Sequence, residues 1–160
     1  MRSVPTSSAA GVEASFDEFF AREARTQVQR AGLILGSAEE ANDVVQEAFV
    51  RIYERWHELD HPGSYLNRTV LNLARDRMRR QSTYHRILPR LQTPPQATAN
   101  EDEILGDILA ELPFNQRAAI VLRYWGGLSN VEIAEQLECP TGSVGPWIDR
   151  GLKKLRKALQ

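Results

Sequence analysis

Apolar residues recur at steps of three and four along nearly the whole chain, the period of helices packed through one face. No segment alternates with the period of two that a half-buried strand needs, and no internal repeat is visible. One stretch breaks the pattern, with Pro89, Pro94 and Pro95 among Gln, Thr and Ala. The expected fold is therefore all-α, two small helical domains joined by a flexible linker. The expected boundaries are a disordered tail over 1–14, a first domain over 15–81, a linker over 82–101 and a second domain over 102–160.

In the first domain Phe16, Phe19, Phe20, Ala24 and Val28 give an amphipathic helix ending near Gly32 or Gly36. Ser37 with Glu40 three residues on reads as a capping box for the next helix. That helix carries Ala41, Val44, Val45, Ala48, Phe49, Ile52 and Trp56 as one apolar stripe. His57–Gly63 reads as a loop because of Pro62-Gly63. A third helix follows over Gly63–Arg80, with Leu66, Thr69, Val70, Leu73 and the aliphatic stem of Arg77 inward.

In the second domain Ile104, Leu105, Ile108, Leu109 and Leu112 share a face. Pro113 opens a helix whose expected buried side is Ala118, Val121, Leu122 and Trp125, stopped by Gly126-Gly127. Ser129 and Glu132 form a second capping box, opening a short helix through Leu137. A last helix from about Ser143 turns Val144, Ile148, Leu152, Leu155 and Leu159 inward. The small Ala134 and the later Val144 have the spacing of a helix-turn-helix, in which the second helix reads bases from the major groove.

The chain of 160 residues has a formal net charge of −1, which argues against a generally basic nucleic-acid binder. The charge is segregated, however. Seven arginines face one acid between Arg68 and Arg90, and five basic residues crowd Arg150–Lys157. Acids gather at Glu39, Glu40, Asp43 and Glu47 and again over 101–111. Two basic blocks and an acidic one suit a protein that touches nucleic acid at two places and something else at a third.

The third helix carries the sharpest pattern. Arg68, Asn72, Arg75 and Arg79 recur at i, i+4, i+7 and i+11, opposite the apolar stripe. Guanidinium groups bind phosphate bidentately and Asn can pair with a base edge, so this row is suited to following a nucleic-acid strand. A solvated charged face is the ordinary alternative. On the second helix Asp43, Gln46 and Val50 form a row suited to a basic partner, where solvated acids near a helix N-terminus are the alternative. The cations Arg150, Lys153, Lys154, Arg156 and Lys157 suit phosphates, though a helix C-terminus attracts such residues anyway.

Catalytic and metal chemistry find little support. His57, Asp60 and His61 are the clustered ligand types, but Pro62-Gly63 put them in a loop. There is no Gly-rich phosphate loop and no Ser–His or Cys–His arrangement, so no enzyme, metal or cofactor is expected. Cys139, the single cysteine, excludes an intrachain disulfide. The absence of a signal-like N-terminus and of a long apolar run points to the cytoplasm and to no membrane insertion.

From Phe16 to Leu159 the chain resembles the extracytoplasmic-function sigma factors of the sigma-70 family. AEEANDVVQEAFVRIYERW is similar to region 2.2, with its Asp-x-x-Gln-Glu core. GSYLNRTVLNLARDRMRR is similar to region 2.4, with Tyr65-Leu66 for the family's Trp-Leu and Asn72, Asp76 and Arg79 matching Asn-x-x-x-Asp-x-x-Arg. LAELPFNQRAAIVLRYWGGLSNVEIAEQL is similar to the opening of region 4.

The resemblance implies a factor that directs core polymerase to promoters and supports their melting. It implies that Asp43, Gln46, Glu47 and Val50 meet the polymerase β′ coiled coil, with the β flap as a further contact. His61, Arg68, Asn72, Arg75, Arg79 and Arg80 would hold the non-template strand of the −10 element. Thr141, Ser143, Trp147, Arg150, Lys153 and Lys154 would contact the −35 duplex, and an anti-sigma factor would regulate the whole. The alternative is a sigma-like interaction protein that binds core or an anti-sigma factor without initiating transcription.

Two departures bear on this. Glu138 stands where the family usually has a Gly after the first helix of the motif. Gly142-Ser143-Val144-Gly145-Pro146-Trp147 stands for Gly-Thr-Val-Lys-Ser-Arg, removing two basic residues. Pro146 fits only in a first helical turn, so an unusual or weak −35 contact is expected, with Trp147 packing on sugar or a thymine methyl.

Overall fold

The computed structural model describes residues 6–87 and 101–160, with side chains over 15–81 and 104–160. Seven helices are present among the described residues. They are α1 (Thr6–Leu35), α2 (Ala38–Glu54), α3 (Pro62–Ile87), α4 (Glu101–Ala110), α5 (Phe114–Tyr124), α6 (Asn130–Leu137) and α7 (Thr141–Ala158), with a 3₁₀ turn at Trp56–Glu58. Most of the stretch expected as a linker, 88–100, lies outside the described residues.

The start of the chain differs from expectation. α1 begins at Thr6, inside the segment read as a tail. Ala9, Ala10 and Ala14 are strong helix formers and favour this extension. At its other end Gly36 adopts φ +71, and its N–H reaches the Gly32 carbonyl at 2.8 Å. The left-handed residue stops α1 within one turn of the start of α2.

Ser37 caps α2 by accepting from the Glu40 N–H at 3.2 Å. The reciprocal half of the box is replaced, because the Glu40 carboxylate accepts instead from Gln81 of α3. A tertiary bond thus takes the side chain that a local motif would have used. α1, α2 and α3 enclose Phe19, Ile34, Val44, Phe49, Ile52, Leu66 and Val70, each 3% exposed or less. At about 1.5–3 kcal/mol for each large side chain, this burial is the main cohesive term of the first unit. Phe16 adds edge-on contacts to Phe49, Tyr53 and Trp56. Pro62 and Gly63 occupy the first turn of α3 rather than a loop, where the missing proline N–H would have gone unbonded.

In the second unit α5 is the central helix, buried continuously from Gln116 to Leu122. Its expected single apolar face is too narrow, because α1, α6 and α7 all pack around it. Trp125 and Leu159, expected inward, are 43% and 69% exposed at the ends of their helices. Ser129 and Glu132 complete a full capping box at α6. Gly151 lets α7 approach α5 closely, since a Cβ there would collide with Ile120 Cδ1.

The turn of the helix-turn-helix is closed by Glu138, which adopts φ 54, ψ 51. A left-handed residue with a Cβ costs roughly 1–2 kcal/mol, which glycine avoids. Its exposed ion pair with Arg68, at 3.8 Å, returns less than about 1 kcal/mol. Glu138→Gly is therefore expected to stabilise the second unit by about 1 kcal/mol, read as a higher denaturation midpoint. A midpoint that falls would show that the pair outweighs the strain.

Pro146 lies in the second turn of α7, not the first. The helix forgoes the bond to the Gly142 carbonyl that residue 146 would otherwise make. Gly145 lacks the Cβ that would clash with the ring of a following proline, so Gly145-Pro146 is tolerated as a unit. The two halves of the chain also touch, α4 and α5 against α1, and α6 against α3.

Candidate nucleic-acid interface

The buried arc of α3 comprises Leu66, Thr69, Val70, Leu71, Leu73 and Ala74. This fixes the rotation of the helix, so Arg68, Asn72 and Arg79 stand exposed on the opposite side, with Arg75 half-buried beside them. The packing that holds the edge in place is thus the same stripe that defines it. Arg80 is exposed but falls seven residues after Leu73, off the row. His61 is exposed at the start of the helix, its carbonyl accepting from the Tyr65 N–H at 3.2 Å.

Between the edge and α2, Arg55 donates to the Tyr65 hydroxyl at 2.9 Å, with its guanidinium 5.2 Å from the same ring. Its hydrogen bond to Glu58, and after it the one to Tyr65, raises the Arg55 pKa. Thr69 is held by donation to the Tyr65 carbonyl at 2.7 Å.

On α2, Asp43, Gln46, Glu47 and Val50 are all exposed, along with Tyr53. Glu47 accepts from Arg51 at 3.0 Å one turn on, a solvent-screened pair worth about 0.3–0.5 kcal/mol. A partner cation could exchange with Arg51 at little cost. An exposed acidic row with an apolar member, Val50 at 57% exposed, suits protein rather than nucleic acid.

On α7, Thr141, Arg150, Lys153 and Lys154 are exposed, while Ser143 and Trp147 are half-buried. Trp147 lines a cleft of about 400 Å³ with Arg75, Met78, Arg79, Phe114 and Arg150. Residues assigned to two separate DNA contacts therefore share one cleft in this structure. Arg75 places its guanidinium 4.9 Å from the centre of the Phe114 ring. Cys139 is half-buried in the same neighbourhood, its thiol pKa raised by desolvation and partly lowered by Arg75.

The residue that sequence reading passed over is Arg117. It is 4% exposed and donates to the carbonyls of Ala110 at 2.8 Å and Leu112 at 2.7 Å. It also donates to the carbonyl of Ile34, at the end of α1. Burial lowers its pKa, yet an arginine this basic stays charged. An arginine among alanines gives no signal of such a role, since it depends on helix ends brought together by folding.

The two halves match distinct family profiles, Sigma-70 region 2 over residues 19–84 and Sigma-70 region 4 over residues 102–155. The ECF RNA polymerase sigma factor SigW of Bacillus subtilis is 31% identical over 148 residues, covering 79% of each chain. The chain belongs to the extracytoplasmic-function sigma factors. It is an alternative RNA polymerase sigma factor. The RNA polymerase sigma-E factor of Streptomyces coelicolor is 27% identical over 90% of this chain and 85% of its own length. Among solved structures, CnrH in complex with the cytosolic domain of CnrY superposes with TM-score 0.71 at 27% identity, covering 94% of this chain and 91% of that one. The sigma factor RpoE in complex with the anti-sigma factor NepR from Bartonella quintana shares the fold, with TM-score 0.74 at 18% identity over 91% of this sigma factor and 96% of that chain.

Proposed function

We propose that this sigma factor works through three surfaces. Asp43, Gln46, Glu47 and Val50 on α2 dock on the β′ coiled coil of core polymerase, with the second unit meeting the β flap. Arg68, Asn72, Arg75 and Arg79, with His61 and Arg80 at the margins, hold the non-template −10 strand. Thr141, Ser143, Trp147, Arg150, Lys153 and Lys154 meet the −35 duplex. The first unit comprises α1 to α3 and the second α4 to α7, and the chain between Ile87 and Glu101 links them. The factor catalyses nothing itself and acts where polymerase is, in the cytoplasm. CnrH carries a protein partner in its solved complex; a regulator of anti-sigma type is the counterpart proposed here.

The observation that carries this reading is the α3 edge, three guanidinium groups and one carboxamide on the face opposite a buried stripe. Strand capture needs such a face, since a base leaving the stack costs a few kcal/mol that backbone and edge contacts must offset. The test is reconstituted transcription with core polymerase on a genomic promoter library. Initiation from a defined set of fragments is expected, and core binding without any initiation would overturn it.

The −35 contact is expected to be weak. α7 carries Gly145 and Pro146 within its first two turns, where the family has Lys and Ser. Holoenzyme footprints should therefore show strong protection near −10 and faint protection near −35. Gly145→Lys with Pro146→Ser should deepen the upstream footprint, since each new phosphate contact adds a salt-dependent increment of affinity. Equal upstream protection in both proteins would count against the proposal.

A further inference from the structure

We infer that the cleft between α3, α5 and α7 is a binding site for a purine nucleoside polyphosphate. The site stands on the cleft alone; its competition with a DNA strand rests on the reading of α3 as the −10 surface.

The charge in the cleft is of one sign. Arg75 and Arg79 of α3 and Arg150 of α7 line it, and no carboxylate is among its walls. Like charges facing one space of about 400 Å³ repel, and a polyanion placed between them turns that repulsion into attraction. Arg75 rests its guanidinium over the Phe114 ring. A guanidinium held by its face keeps its in-plane N–H groups, which can grip a phosphate bidentately. Arg150 is exposed and has no ion-pair partner among the described residues.

The rest of the wall decides between a bare anion and a nucleotide. Met78, Phe114 and Trp147 give the cleft an apolar side, which a purine ring can use and an inorganic phosphate cannot. Trp147 is half-buried and makes no ring or cation contact among the described residues. Its indole is therefore open to stacking. Two carboxamides, Asn115 and Gln116, line the same cleft. Gln116 is 9% exposed, and its Oε1 has no hydrogen-bond partner among the described residues. A buried acceptor left unpaired is costly, and a purine amino group supplies the missing donor. The volume also falls within the roughly 300–1,000 Å³ of small-molecule sites. Occupancy would engage Arg75 and Arg79 and so exclude the strand, making DNA capture responsive to nucleotide level.

The test is calorimetric titration of the full chain, without polymerase, with ATP, GTP, adenosine and inorganic tripolyphosphate. One of the nucleoside triphosphates is expected to bind about tenfold more tightly than either adenosine or tripolyphosphate. Equal affinity for tripolyphosphate, or no nucleotide binding, overturns the inference and leaves an ordinary basic patch. Trp147→Leu should weaken nucleotide binding by about tenfold and leave tripolyphosphate binding unchanged, with Trp147→Phe restoring most of the loss. Asn115→Ala, outside the proposed DNA contacts, should also weaken the nucleotide. A photoreactive azidopurine triphosphate should label the peptide that carries Trp147, and label confined to other helices overturns the assignment to this cleft.

The nucleotide should also displace a single non-template −10 strand from the free chain. Nucleotide binding at the cleft without displacement would uphold the site and remove Arg75 and Arg79 from the −10 reading. Strand capture without any nucleotide binding would overturn the site and leave the −10 reading standing.

Discussion

Arg117→Met is expected to lower the stability of the second unit by about 3–5 kcal/mol, the largest effect of any single substitution outside the apolar core. The side chain lies where α1 ends, at Leu35, and α4 ends, at Ala110. Helix C-termini leave carbonyls without intrahelical partners and carry partial negative charge. The guanidinium satisfies two such carbonyls, those of Ile34 and Ala110, and a third in the turn after α4, that of Leu112. Where a buried ion pair is replaced by apolar groups, both charges leave and the change can be neutral. Here the acceptors are main chain and cannot be removed, so their desolvation remains uncompensated. Arg117→Lys keeps the charge but loses the planar fork, and should recover only part of the loss. Denaturant titration followed by the fluorescence of Trp125 and Trp147, in a Trp56→Phe background, reads the second unit. A loss under about 1 kcal/mol for the methionine variant would mean that water takes the place of the guanidinium.

What sequence could show follows from what each feature depends on. The α3 edge was legible because helical period alone decides which residues share a face, and the buried stripe then fixes the opposite one. The α6 cap was legible for the same reason, since Ser129 and Glu132 are three residues apart and need no distant partner. Glu40 shows the limit: the same local pattern yields to Gln81, supplied by another helix. Trp125, Leu159 and the continuous burial of α5 depend on where neighbouring helices begin and end, which periodicity does not encode. Leu71 was missed because the expected stripe had one neighbour to face, whereas α3 packs against both units. Pro146 was judged by the turn it would permit; the structure keeps it in the second turn because a glycine precedes it.

Contacts between α3 and the second unit also change how variants of the edge should be read. Arg75 and Arg68 serve both the proposed strand contact and contacts to Phe114 and Glu138. Substituting either removes a proposed DNA contact and a contact to the second unit together. Alanine at these positions is thus expected to report the sum of the two, not the DNA contact alone.

Asn72 avoids that ambiguity, and Asn72→Ala is expected to abolish most promoter opening while core binding persists. It is exposed on the row between Arg68 and Arg75, and its carboxamide can donate and accept at a base edge where arginine can only donate. A bidentate base contact is worth about 1–3 kcal/mol, or roughly 5- to 150-fold in the population of open complex. The side chain lies outside the packed arc of α3, so the fold should lose almost nothing. Asp43→Ala with Glu47→Ala supplies the opposite pattern, with core affinity falling while strand capture by the free chain holds. Core binding by gel filtration and opening by permanganate reactivity of thymines separate the two. If Asn72→Ala weakened both equally, the edge of α3 would be serving the polymerase rather than the strand, because a base contact cannot act before DNA is present.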